Sequence, residues 1–420
     1  MKILHVSQGY FPALGGTEWL MTRLSEELVR VYGDDVTIFT TNCYGGDAFY
    51  KPSLPAMPVG NEDVAGVHIR RFPVARQISR VFHTIQFLLL RLNGSVPHAV
   101  KLYGDGPIIP LLGRMIKKFP ADIIAASSFP LLHMYTTIKA SRQSNRPCIF
   151  FGGLHPEDKG GFDWPIIYKT IQDADHYIAY TKYETDYVIT KGASPERIST
   201  IGLGVDPEPF HDISQPEAKH RLGFDNSPVV GYIGQIVPHK GVDTLIRAMP
   251  RIWKIYPDVR VLVAGARRTF ADQLEKMVAE WPDEWRHKIL FCYDFKSEIK
   301  PWLYAALDVF AYPSAFESFG IAFLEAWSGG KPVIGCRKGA IPSVINAGRD
   351  GLMIDYQDDI MLAEAIVTLI ANPDWAQKLG QTGYQKVLAN HTWPIVTKRF
   401  REVYSSTLEQ YKSEQYLLNN

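Results

Sequence analysis

Glu317 and Glu325 stand eight residues apart in ESFGIAFLE, on either side of a Ser-Phe-Gly turn that opens an apolar run. Gly320 lets backbone approach a ligand closely, and the amides that follow form a helix start that favours negative charge. An anionic group suits that position. With the helix starting near Ser318, Glu325 falls in its second turn, and a rise of about 1.5 Å per residue keeps the two carboxylates within roughly 12 Å. That span suits the two ends of a nucleotide sugar. One carboxylate would accept hydrogen bonds from sugar hydroxyls and the other from the 2′ and 3′ hydroxyls of a ribose, with the diphosphate over the helix start. The same spacing also fits an amphipathic helix with two solvated glutamates.

The flanking residues favour the first reading. PSAFESFGIAFLEAWSGGKPVIG, Pro313 to Gly335, resembles the signature of the retaining family 4 (group 1) glycosyltransferases almost position for position. GGTE (Gly15 to Glu18), His155 in FFGGLHP, GVD (Gly204 to Asp206) and GQIVPHKG (Gly234 to Gly241) resemble further motifs of that family, in the same order over nearly the whole chain. The resemblance implies an α/β architecture of the GT-B type: two Rossmann-like domains facing across a cleft, with a C-terminal helix returning to the first. It places an N-terminal acceptor-side domain at residues 1–205 with 396–420, and a nucleotide-sugar-binding domain at 206–395.

The resemblance also implies roles. Lys240 is expected to stabilise charge on the departing diphosphate, Glu317 to bind the donor sugar, and His155 to hydrogen-bond a sugar hydroxyl beside the reacting carbon. Gly15 and Gly16 would present amides to the diphosphate, as would Phe319, Gly320 and Ile321 to sugar and phosphates. Glu325 is expected on the ribose and Phe295 against the base. Gln235 departs from the pattern, because most relatives place an arginine there as a second phosphate clamp. A neutral amide has neither the charge nor the bidentate fork of a guanidinium. Either the donor is held differently, with Arg267 or Arg268 of AGARRT helping, or turnover is weak.

The implied reaction is retaining transfer from a nucleotide diphosphate sugar, a UDP-sugar being the expected donor, to a hydroxyl of a glycan, glycolipid or small-molecule acceptor. No cofactor is expected beyond that co-substrate. No metal is expected either, since no DxD-like pair stands beside these motifs and Asp122 and Asp158 are far apart in sequence. The alternative is a nucleotide-sugar binding protein with little or no transferase activity; an epimerase or phosphorylase on the same architecture is a third reading. A nicotinamide-dependent dehydrogenase is disfavoured, because SQGYFPALGG after the first strand lacks G-x-G-x-x-G.

These residues must be held by strands. Apolar runs at Lys2 to Ser7, Val36 to Thr40, Ile123 to Ala126, Cys148 to Phe151, His176 to Ala179 and Ile198 to Ile201 alternate with helical stretches, as in a parallel sheet covered on both faces. The three prolines and absent apolar period of Gly204 to Lys219 read as an interdomain linker. Strands then resume at Val229 to Gly234, Val259 to Gly265, Ile289 to Phe291, Val309 to Tyr312 and Pro332 to Gly335. Ligands of open α/β sheets bind outside the carboxyl ends of strands, where Gly15, Gly16 and His155 fall.

A chain of 420 residues suits two domains rather than one core. With 45 basic against 44 acidic residues, global charge gives no reason to expect a nucleic-acid partner. Cys43, Cys148, Cys292 and Cys336 form no CxxC or zinc spacing, which argues for free thiols in a reducing compartment. With no secretory signal pattern and no run of 18 or more apolar residues, a cytoplasmic protein is expected. Charge is uneven, however. Between Gly66 and Pro120, Arg70, Arg71, Arg76, Arg80, Arg91, Lys101, Arg114, Lys117 and Lys118 face Asp105 as the only acid. Ile78, Val81, Phe82, Ile85, Leu88, Leu89 and Leu92 recur there at helical spacing. A helix packed on the core with solvated arginines is one reading. Peripheral contact of residues 70–118 with the inner membrane face, or with a phosphorylated acceptor, is the other.

Overall fold

Runs such as KILHV, IIAA, CIFF and VVGYI are apolar almost throughout, and strands of that kind are stable only with both faces covered. In the computed structural model, which describes residues 1–13 and 15–419, they form two separate sheets. The chain divides into two compact units, Met1–Gly202 with Trp393–Asn420, and Leu203–Thr392.

The first unit contains β1 (Lys2–Val6), β2 (Asp35–Thr41), β3 (Gly60–Val64), β4 (Val67–Phe72), β5 (Ile123–Ala126), β6 (Cys148–Phe151), β7 (His176–Ala179) and β8 (Ile198–Thr200). Their order is β3-β4-β2-β1-β5-β6-β7-β8, parallel except for the antiparallel β3–β4 hairpin. That hairpin has no counterpart in the sequence reading. GNEDV is nearly all exposed and carries two acids, so it has no apolar signature. It is secured instead by Arg71, which bonds the Glu62 carboxylate and donates to the Phe11 carbonyl at 2.6 Å.

The long helix Trp393–Asn419 belongs to this unit. Phe400 meets Phe151 edge-on at 5.1 Å, and Arg401 pairs with Asp34 at 2.6 Å. His5 is wholly buried, and burial lowers its pKa to about 3, so the neutral ring bonds both Ser25 Oγ at 2.8 Å and Tyr404 Oη at 2.9 Å. The last residue expected in this helix, Asn420, lies outside the described residues.

The second unit is a wholly parallel sheet of β9 (Val229–Ile233), β10 (Arg260–Gly265), β11 (Ile289–Tyr293), β12 (Val309–Tyr312), β13 (Val333–Cys336) and β14 (Gly351–Ile354), in the order β11-β10-β9-β12-β13-β14. The chain order reverses between β9 and β12. Both neighbouring carboxyl ends therefore open at a topological switch point, where such sheets bind ligands.

The segment read as a linker is more ordered than its prolines suggested. Glu208–His211 and Gln215–Arg221 are short helices, with a proline in the first turn of each, where a missing amide donor costs nothing. Phe210 is buried edge-on against Tyr304 at 5.6 Å, so this segment is part of the second unit.

Candidate active site

The loops after β9 and β12 are joined to each other. Gly241 ends the first with φ at +70°, and a Cβ there would lie 2.1 Å from the Pro313 carbonyl, so only glycine fits. The Ala315 amide donates to the His239 carbonyl at 2.7 Å, and the His239 and Phe316 rings stack at 4.9 Å. GQIVPHKG and PSAFESFG, 72 residues apart between Gly241 and Pro313, thus form one surface. On it Lys240 Nζ donates to Glu317 Oε1 at 2.6 Å, with the two side chains 12% and 11% exposed.

Beneath this pair lie Tyr232 and Tyr312, stacked at 5.2 Å, with the Lys240 ammonium 5.8 Å from the Tyr312 ring centre. Burial, then the Glu317 charge, pushes both phenols well above their ordinary pKa. They stay neutral. Tyr232 Oη donates to the Gln235 carbonyl at 2.6 Å, which fixes the start of the loop, while the Gln235 residue itself is exposed.

Gly320, with φ at +93°, is the N-cap of the helix Ile321–Ser328, which therefore begins later than the expected Ser318. No side chain caps it, so its first amides are open to an anion. The Phe319 ring is buried and tilted against His391 at 5.5 Å, leaving its backbone to the loop; Ile321 is half-buried.

Glu325 is placed quite differently from Glu317. It is buried, one oxygen bonded by Lys300 and the other accepting from Tyr304 Oη at 2.9 Å. Burial and then the Glu325 charge hold Tyr304 protonated. A carboxylate offers about four acceptor positions, so two remain for ribose hydroxyls. Neither Lys300 nor Tyr304 was singled out in the sequence. They lie on a separate helix, Lys300–Ala305, whose spacing from Glu325 carries no pattern.

Arg267, expected to help hold the donor, has carboxylate partners of its own. Its guanidinium is held by Glu275 and by Asp272 at 2.6 Å, and lies 4.8 Å from the Tyr293 ring centre. Two carboxylates already neutralise it. Arg268 is exposed at the start of the helix Thr269–Ala279. Phe295 is half-buried after β11, following Asp294, whose carboxylate accepts from the Arg267 amide at 3.0 Å.

In the first unit, Gly15 and Gly16 do open a helix, Gly16–Tyr32. The Glu18 carboxylate, accepting from Gln8 at 2.9 Å, lies so close that a Cβ on Gly15 would be 2.1 Å from it. That carboxylate is an unfavourable neighbour for a second anion. His155 follows β6 in a loop held by a residue the sequence reading missed. Buried Glu184 accepts from the amides of Gly153, Leu154 and Tyr180 and from Tyr177 Oη, all at 2.8 to 2.9 Å. Burial raises the pKa of its carboxyl. Thr181-x-x-Glu184 has capping-box spacing, and Thr181 does accept from the Glu184 amide at 3.2 Å. The spacing signalled a helix cap but not the carboxylate's turn toward the His155 loop. The His155 ring meets Phe162 edge-on at 5.1 Å.

The chain matches the model described as Glycosyltransferase Family 4 over residues 14–209, and Glycosyl transferases group 1 over residues 214–386. It is 23% identical over 422 residues to a GDP-mannose-dependent alpha-(1-6)-phosphatidylinositol monomannoside mannosyltransferase of Mycolicibacterium smegmatis, covering 97% of this chain and 99% of that protein. To a D-inositol 3-phosphate glycosyltransferase of Corynebacterium diphtheriae it is 28% identical, over 56% of this chain and only 57% of that protein. In fold it is similar to Anabaena HepE, solved with UDP and glucose: TM-score 0.72 at 19% identity, covering 97% of this chain and 100% of that one. Both family models, meeting end to end over the two sheets, and the joined motif loops at β9 and β12 lead to one conclusion: the chain belongs to the group 1, family 4 glycosyltransferases and has their GT-B fold of two Rossmann-like domains.

Proposed function

We propose that the protein transfers a sugar from a nucleoside diphosphate sugar, with retention of anomeric configuration and without a metal, to a hydroxyl of a glycan, glycolipid or small-molecule acceptor. The observation that carries this reading is the Lys240–Glu317 pair at the switch point, beside the uncapped helix start at Gly320. The open amides suit a diphosphate, and the Lys240 ammonium suits the charge that grows on it as the anomeric carbon–oxygen bond breaks. The acceptor oxygen bonds to the same face of that carbon, and its proton passes to the departing phosphate oxygen. Glu317 orients Lys240 and has acceptor capacity left for sugar hydroxyls; Glu325 has the same for ribose. His155, Gly15 and Gly16, on the first unit, keep their proposed places toward sugar and diphosphate, the latter weakened by Glu18. No residue need serve as nucleophile, since positioning and charge supply the acceleration.

A UDP-sugar is the first donor proposed. GDP-mannose is the second, favoured by similarity over almost the whole chain to a mannosyltransferase named for it. Calorimetry and nucleotide release with UDP-, GDP- and ADP-sugars, without added metal, test the reading. Tight binding with slow release from one donor is expected. Binding without transfer to any acceptor or hydrolysis would instead make this a nucleotide-sugar binding protein.

A further inference from the structure

FFGGLHP puts Gly152 and Gly153 shortly before His155, and each has a steric reason. A Cβ on Gly152 would lie 2.5 Å from Glu184 Oε2 and 2.7 Å from Oε1. Gly153 has φ at +106°, and a Cβ there would be 3.3 Å from the Tyr180 ring. The loop after β6 is thus wrapped round a carboxylate that arrives from the helix Lys182–Thr190, which follows the neighbouring strand β7. Glu184 Oε1 accepts from the Gly153 and Leu154 amides and the Tyr177 hydroxyl, while Oε2 accepts from the Tyr180 amide. Every one of these partners is a donor, so only a group that accepts at both oxygens satisfies them.

The same helix grips the loop on the far side of His155. Tyr183 Oη donates to Glu157 Oε1 at 2.6 Å. Between these fastenings the Asp158 amide donates to the His155 carbonyl at 2.9 Å, which closes a turn. Consecutive residues of one first turn, Tyr183 and Glu184, therefore hold the chain both before and after His155. Helix capping does not account for this. A capping box turns its glutamate back to the N-cap amide, whereas the Glu184 carboxylate bonds the Gly153 and Leu154 amides of the His155 loop.

We propose that the first turn of the helix Lys182–Thr190 is a clamp on the His155 loop, with Glu184 and Tyr183 as positioning residues for sugar transfer. They act through His155 rather than by touching the sugar. The clamp rests on the proposed place of His155 at the donor sugar, and adds to it the groups that hold that ring in register. A histidine that must meet one hydroxyl beside a reacting carbon depends on such support, since misplacement by about 1 Å costs on the order of 100-fold in rate. Lys240, Gly320 and Glu325, the main contacts proposed for the nucleotide, belong to the second unit. The clamp should therefore govern turnover and leave nucleotide affinity alone.

The test measures nucleotide release from the UDP-, GDP- or ADP-sugar that the full chain turns over, and calorimetric binding of the matching free nucleotide. Gly152→Ala drives a methyl group against the carboxylate and should lower kcat about 100-fold. Glu184→Gln sets an N–H against one of the buried donors and should lower it about tenfold. Tyr183→Phe, at a half-buried position where the ring is kept, leaves the fold standing and should lower it several-fold. Nucleotide affinity should be unchanged in all of these variants. Gly152→Ala combined with Glu184→Gln should be no slower than the worse single variant, because both break the same contact. Unaltered kcat in Gly152→Ala or Tyr183→Phe would overturn the clamp, as would nucleotide affinity that falls in step with kcat, or losses that multiply in the double variant. Absence of turnover by the unmutated chain would instead overturn the donor reading, and the clamp with it.

Discussion

Glu317 and Glu325 are each paired with a lysine, yet the two pairs work on different links of the chain from sequence to function. Lys240–Glu317 joins two loops at the carboxyl ends of β9 and β12, above a pair of neutral tyrosines. Lys300–Glu325, with Tyr304, fastens the helix Ile321–Ser328 to the helix Lys300–Ala305. In the proposed reaction the first pair holds a cation where the leaving group's charge would develop. The second holds the scaffold that aims the open amides. On that proposal one motif of nine residues contains a chemical end and an architectural end, and identical residue types do not reveal which is which.

The sharpest way to break that contrast is Lys240→Ala. It should lower the rate of transfer by about 100- to 1,000-fold, the loss typical of removing a preorganised charge-stabilising donor. Donor affinity and the unfolding midpoint should change little, because the loops remain joined through His239 and Ala315. A fall in thermal stability as large as the fall in rate would make Lys240 architectural instead. Glu325→Ala should show the opposite profile. The buried Tyr304 hydroxyl loses its acceptor, at a cost of about 1–3 kcal/mol in denaturant unfolding. Donor binding should also weaken if ribose uses the remaining acceptor positions. Unchanged affinity with lost stability would assign Glu325 to the scaffold alone. Lys300→Met should cost less than about 1 kcal/mol, since the Lys300 side chain is 34% exposed and water already screens it.

The same contrast explains what the sequence could and could not disclose. GQIVPHKG and PSAFESFG are each an unbroken run, and strands of solid apolar character precede both, so their place at strand ends was readable. Their partners were not. Lys300, Tyr304 and Glu184 reach their carboxylates or amides from other elements, and nothing in local spacing announces a meeting set by tertiary packing. The helix Arg76–Asn93 shows the limit in another form. Its period of apolar residues was plain, but periodicity says only that a stripe exists, not which side meets the core. Ser79 and Gln86 are buried, Gln86 donating to Asp105 on the helix His98–Asp105, so Ile78, Val81, Ile85, Leu88 and Leu92 are exposed while Phe82 and Leu89 stay half-buried. β3, β4 and β14 went unread because GNEDV is polar, VHIRRF carries His68, Arg70 and Arg71 among its apolar residues, and GLMI opens on glycine with one β-branched residue. The linker was misjudged because prolines break helices only in their interiors, and Pro209 and Pro216 stand in first turns.

The smallest expected effect concerns Gln235, the departure nearest the Lys240–Glu317 pair. Its side chain is exposed at the carboxyl end of β9, while Tyr232 holds only its carbonyl. A longer side chain therefore has room without disturbing the loop. In the loops after β9 and β12 the lysine or arginine present is Lys240, and Glu317 already pairs with it. Gln235→Arg should then bind UDP or GDP more tightly by about three- to tenfold, a charge-assisted bond replacing a neutral one. The gain should shrink as salt is raised, because an exposed guanidinium is screened. Titration calorimetry at two ionic strengths measures both. Tighter nucleotide binding with a faster transfer rate would show that the chemical end of the motif is short of charge. Tighter binding with no gain in rate would show that Lys240 already supplies what the leaving group needs, and that glutamine at this position sets affinity rather than chemistry.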